Sequence, residues 1–410
     1  MLIKNKRNLR IRTGALALSA LMALTGCGAA VGGAAALSGE ARETAADASD
    51  GVQESSAASG SGDVSGGTEQ AGETRVIIDQ VGNEVELPAQ VNRIVIASAW
   101  PLASVYCLFD GSVEKLVGVD PAIISAAENS MLVKVAPEIV NVESGFSQNG
   151  VINAEELLKL DPDVVLYATG VPEDYEICSQ AGIPAVGFSL SIKDYNAVET
   201  INSWVELLGE VLGEDLTNEE FIRYGQDMQA MVAERLQGVK EEDKPKAMFI
   251  HGYDASTVNV PAADSWGDYW ITASGGINVG AQAGSGTPTV GAEQIYEWNP
   301  DRIFIDNFND ALPEDIYSNT LANFDWSSIS AVQNQQVIKT PLGMYRWYVT
   351  CSDSALMLLW MAKQNQPELF ADIDMNQTVK DFYQQFYGVT LTDADVEYIF
   401  TPKREAAGGI

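Results

Sequence analysis

Residues 153–167 read NAEELLKLDPDVVLY and residues 291–305 read GAEQIYEWNPDRIFI; the two align without a gap, 138 residues apart. Each opens with a residue that suits a helix start, passes through two apolar turns, and stops at Asp-Pro-Asp or Asn-Pro-Asp. Proline cannot continue a helix, and the apolar run after it suits a strand buried on both faces of a parallel sheet. A helix–strand unit repeated at this distance predicts two α/β lobes of one plan.

The flanking sequence extends the pattern. Strands are predicted at RIVIASA, KLVGVD, DVVLYAT and PAVGFSL in the first half, alternating with helical stretches such as ASVYCLF and EDYEICSQAG. The second half has KAMFIHG, RIFIDNF and QVIKTPL, and ends in helical segments near SALMLLWMAKQ and TVKDFYQQFYG. The fold class expected is α/β, with two Rossmann-like lobes and largely parallel sheets. Between the lobes, residues 218–240 contain no proline and place Phe221, Met228, Met231, Val232 and Leu236 at near-helical spacing, which predicts a single long bridging helix.

The N-terminus reads as an export signal: Lys4, Lys6, Arg7, Arg10 and Arg12 precede a short apolar run that ends in small residues. Leu24-Thr25-Gly26-Cys27 resembles a bacterial lipobox, which implies lipidation at Cys27 and anchoring to the cell membrane from outside the cytoplasm. Residues up to 73 are Ala, Gly, Ser and acidic residues without an aromatic, the composition of a flexible tether. The expected partition is signal peptide 1–26, tether 27–73, first lobe 74–213, bridging helix 214–240 and second lobe 241–410.

Composition excludes some functions. The net charge of −33 opposes binding to nucleic acid, whose affinity rests on Lys and Arg, and opposes adsorption to anionic lipid. One histidine in the chain disfavours a zinc or manganese carrier built on several His ligands. Without Cys27, the cysteines are Cys107, Cys178 and Cys351, spaced like neither a zinc site nor a redox pair; free buried thiols are expected, with one disulfide left open. No GxSxG, phosphate loop or nucleophile–base pair recommends an enzyme, and the glycines of ASGGIN lack nucleotide-loop spacing and suit a tight helix-to-strand turn.

Four features in order carry a family resemblance: the opening VIIDQVGNEVELPAQVNRIVIAS, the two repeated units, ASGGINVGA at 273–281, and TPLGMYRWYVTCSDSALMLLW near the end. The chain resembles the substrate-binding lipoproteins of ABC importers that carry ferric siderophores, haem or cobalamin between two lobes joined by one helix. The resemblance implies capture of an iron chelate, haem or corrinoid, delivery to a permease dimer, no chemistry and no resident cofactor, and a monomer. It also implies that Glu155 and Glu293, equivalent in the two units, meet arginines of the permease. Both fall in first helical turns, where a carboxylate is favoured in any case, and Glu156 competes locally.

Ligands of open α/β sheets bind beyond the carboxyl ends of the strands. Tyr345, Arg346 and Trp347 follow the strand QVIKTPL; aromatic faces stack on flat ligands and a guanidinium pairs with anionic oxygens. Trp100, Tyr167, His251 and Tyr253 stand at other strand ends and complete the candidate ligand set. His251 is also a candidate ligand for haem iron or corrinoid cobalt, against a role as a hydrogen-bonded structural residue. The alternatives are a small oxyanion such as molybdate or tungstate, which calls for a nest of backbone N–H donors, and a non-transport surface lipoprotein of the same fold.

Overall fold

The computed structural model describes residues 73–109, 111–213 and 218–407. The signal, Cys27 and the tether up to residue 72, together with 214–217 of the linking segment, lie outside the described residues.

Each lobe holds a four-stranded parallel sheet. The first runs Leu116–Val119, Ile94–Ile96, Val164–Ala168, Ala185–Phe188, and the second runs Ile277–Asn278, Lys246–Ile250, Arg302–Ile305, Val337–Lys339. Numbered by appearance within each lobe, both orders are 2-1-3-4, so the repeat seen in sequence is a repeat of topology. The repeated strand is third in both and pairs in parallel with the first: Leu166 faces Ile96, and Ile305 faces Ile250.

The physical basis of the repeated Asp/Asn-Pro-Asp is now visible. Asp161 and Asn299 take left-handed backbone (φ 47° and 42°), the conformation that ends a helix and that short polar side chains tolerate. The aspartate after each proline then ties the unit to the start of the first strand: Asp163 accepts from the N–H groups of Asn92 and Arg93 (2.7 and 2.9 Å), and Asp301 from that of Lys246 (3.0 Å). The helices of the two units, Ala154–Lys159 and Ala292–Trp298, start differently. Asn153 accepts from Glu155 and Glu156 N–H (3.0 and 3.2 Å), whereas Gly291 has no side chain to do so.

The bridging helix is Glu219–Arg235, capped by Asn218, which accepts from Phe221 N–H at 3.2 Å. It stops short of the expected Lys240 because the chain turns at Gly238, in left-handed backbone. A second long helix, Ala197–Leu212, precedes it and packs along it. At Gly225 the two approach so closely that a β-carbon would lie 3.0 Å from Val198 Cγ1. Helix Ser354–Asn365 covers another side, so the bridge is held along its length by both neighbours. One large core runs through both lobes and these helices, and each lobe adds a local core, around Phe146 and Tyr167 in the first and Trp298 and Trp326 in the second. Cys107, Cys178 and Cys351 are buried, and Cys178 and Cys351 are free thiols.

Candidate ligand-binding cleft

In a 2-1-3-4 sheet the connections leaving the first and third strands run to opposite sides, which opens a crevice beyond their carboxyl ends. The two crevices contribute to one cavity of about 340 Å³. Its first-lobe wall comes from Trp100 and Pro101, after the first strand, and Val171, after the third. Its second-lobe wall comes from Trp266, Phe308 and Tyr345. The lining is aromatic and apolar on both sides.

Charge enters from the second lobe. Arg346, 2% exposed, holds its guanidinium carbon 4.9 Å from the Phe308 ring centre and 5.5 Å from that of Tyr345, and donates to Tyr345 Oη at 3.3 Å. A cation between two rings gains from both π faces and is fixed in place. Burial pulls its pKa down, against the opposing pull of Tyr345 and Asp306. Phe308 sits on a loop that Lys339 organises: the buried ammonium donates to the carbonyls of Asp306, Asn309 and Ala311 (2.7, 2.7 and 2.9 Å). Burial lowers the Lys339 pKa to about 8, with Asp306 and Asp310 opposing.

His251 follows the first strand of this lobe directly. Its Nδ1 lies 2.6 Å from Oδ2 of the fully buried Asp306, and its ring packs on Phe308 and Tyr348 at 5.5 and 5.6 Å. Burial pushes the imidazole pKa down, but the hydrogen bond and charge of Asp306 outweigh it and the pKa stands above the ordinary value.

The candidates named from sequence separate. Trp100 and Tyr345 line the cavity, Arg346 stands between two of its rings, and His251 sits behind Phe308. Tyr253 is more peripheral, exposed and donating to Asp310 at 2.6 Å. Trp347 is a correction: it is fully buried, its indole donates to Asp353 at 2.9 Å, and its ring meets Phe400 edge-on. The turn that buries it needs Gly343, where a β-carbon would fall 2.2 Å from Asp353 Oδ2. Tyr167 is a correction too. It lies within the strand Val164–Ala168, and alternation points it into the local core against Tyr175, 5.9 Å away. Reasoning from sequence missed Phe308, three residues beyond RIFI and within reach of the same strand-end rule, and Trp266, which opens a helix and carries no such signal.

Glu155 and Glu293 are both exposed in the first turns of their helices, while Glu156 is engaged by Lys159 at 2.7 Å. Among the described residues no group of three or more His, Cys, Asp or Glu is placed to hold a metal ion.

The profile of the periplasmic binding protein family matches residues 94–342. The chain belongs to that family. This binding protein is 27% identical to the molybdate-binding protein MolA of Haemophilus influenzae over 336 residues, which cover 76% of this chain and 91% of that one. A periplasmic solute-binding protein of Veillonella parvula superposes with a TM-score of 0.71 at 32% identity, covering 80% of this chain and 97% of the other. Helicobacter pylori CeuE, solved as a Ni-His complex, gives 0.63 at 25% identity, covering 80% and 100%. The family resemblance read from sequence therefore holds. As a periplasmic binding protein of ABC transporters, this protein works outside the cytoplasm and delivers its ligand to a permease. Its relatives are solute-binding proteins and not enzymes.

Proposed function

We propose that this binding protein captures a compact anionic metal chelate, an iron chelate first among them, in the cleft between its lobes. The observation that carries the reading is Arg346, a buried cation stacked between Phe308 and Tyr345, two rings of the cavity wall. Aromatic faces take the chelate's flat organic surface while the guanidinium attracts its anionic oxygens. The cavity of about 340 Å³ is at the small end of ligand pockets, which span about 300–1,000 Å³, and this favours a compact chelate over haem or a corrinoid. His251, oriented by Asp306 at Nδ1, is the candidate to touch the metal through Nε2, as a carboxylate-held imidazole does. A second reading, molybdate or a similar oxyanion, is favoured by the H. influenzae relative and would use the same cation.

The test is quenching of tryptophan fluorescence, with visible spectra in parallel, against ferric citrate, haem, cobalamin and sodium molybdate. Saturable quenching by ferric citrate alone supports the first reading and by molybdate alone the second; no saturation by any of them contradicts both. Delivery is proposed to use Glu155 and Glu293, exposed at matching places on the two lobes. Glu155→Arg with Glu293→Arg is expected to abolish uptake by cells while leaving binding intact, and undiminished uptake would remove them from the docking surface.

A further inference from the structure

Beside the cleft, the first lobe carries a second hollow of about 510 Å³. It lies between the start of helix Pro121–Glu128, with Asp120 and Ser125 on its wall, and the turn Asn149–Gly150. Trp100 is the residue common to the linings of this hollow and of the cleft cavity. Its indole therefore stands between two spaces, each large enough for part of a ligand. The two differ in character: the cleft is walled by rings, while the hollow offers a carboxylate, a hydroxyl and an amide. Asp120 already accepts from Ala122 N–H (2.9 Å) and Ser147 Oγ (2.6 Å), which fixes its orientation, and a carboxylate has lone pairs beyond those two.

The indole of Trp100 is anchored differently from four of the buried tryptophans, a state it shares with Trp266 and Trp298. Trp204, Trp270, Trp326 and Trp347 each donate Nε1–H to a protein oxygen, at 2.7, 2.6, 3.0 and 2.9 Å. Among the described residues, Trp100 Nε1 has no hydrogen-bond partner. Its ring can turn without breaking such a bond, and its replacement leaves no acceptor stranded.

We infer that Trp100 is a specificity-determining partition: it confines cargo to the compact cleft and excludes chelates whose arm, ending in a hydroxyl or ammonium, would extend into the hollow toward Asp120. The inference rests on the cleft being the cargo site. The test compares sodium molybdate, ferric citrate and ferric desferrioxamine B, whose pendant chain ends in an ammonium, on the wild type, Trp100→Phe and Trp100→Ala, with thermal melting as the check on folding. Trp100→Ala is expected to improve desferrioxamine binding about tenfold relative to whichever compact ligand binds, with Trp100→Phe between. Asp120→Asn, which keeps a capping side chain, is expected to reverse most of that gain when added to Trp100→Ala. An unchanged ratio in folded Trp100→Ala, or equal loss of all ligands, overturns the partition while leaving the cargo reading standing. A gain of desferrioxamine binding by Trp100→Ala when the wild type binds neither compact ligand upholds the partition and overturns the cargo reading. No binding to any variant overturns both.

Discussion

The two lobes share strand order, helix–strand units and even the aspartate that ties each unit to its first strand, yet their strand ends differ in chemistry. The first lobe brings Trp100, Pro101 and Val171 to the cleft; its nearby acid, Asp174, is buried and engaged by Ser98 Oγ at 2.6 Å. The second lobe gathers His251, Asp306, Lys339 and Arg346 around the loop that carries Phe308. One lobe supplies surface and the other supplies charge. A repeated frame constrains strands and helix ends, while the loops beyond the strands are free to diverge, and that is where ligand chemistry resides.

The contrast sharpens within the second lobe, between sequence neighbours. Arg346 packs on Phe308 and Tyr345, rings of the cavity wall, while Trp347 lies in the core. Trp347→Ala is expected to cost about 3–5 kcal/mol of stability, because it opens a cavity and removes a donor from buried Asp353. Chemical denaturation measures this; an undisturbed midpoint would return Trp347 to the ligand set.

Asp353 itself makes a smaller, pH-dependent difference. Burial raises its pKa to about 7, although Met344 N–H, Trp347 and Tyr383 donate to it. The folded state thus holds this proton more tightly than the unfolded chain, so the contribution of Asp353 to stability falls as pH rises from about 4 to about 7 and is flat above. Asp353→Asn should remove that slope, by roughly a few kcal/mol across the window. Denaturation midpoints at pH 5 and pH 8 that differ as much in the variant as in the wild type would contradict the assignment.

The smallest effect probes the His251–Asp306 pair. With the imidazole pKa raised in the fold, the pair's contribution is fully present below about 6.5 and is lost as pH rises through the folded pKa. Asp306→Asn should move the titration of the ring downward. The chain has one histidine, so a single set of ring resonances reports it without assignment; an unmoved midpoint would show that Asp306 does not set the charge of His251.

Much of the frame was legible because it is periodic. Apolar runs after each proline gave the repeated strands, and the equal spacing of the two units gave the two lobes. Helix Ala197–Leu212 carries the same kind of signal, with Asn196 before it, Gly213 after it and apolar residues at helical spacing. The site was legible in part. Strand ends pointed to Trp100 and His251, but four bulky residues in a row, YRWY, follow neither period 2 nor 3.6, so the division between Arg346 and Trp347 depends on a turn that only Gly343 permits. Tyr167 stands inside the strand Val164–Ala168, on the face that packs into the local core, and the strand-end rule does not tell which face of the sheet a residue takes. Lys339 gave no sign, since its role lies in three backbone carbonyls brought together by the fold.

The central claim is that the second lobe's cation holds an anionic metal species in the cleft. It is tested most directly by titrating the wild type and Arg346→Met in parallel with ferric citrate and with molybdate, following tryptophan fluorescence, with thermal melting to verify that both are folded. Saturable binding by the wild type to one of them, and about 100-fold weaker binding by folded Arg346→Met, is expected. Equal affinity in the two proteins would contradict the claim.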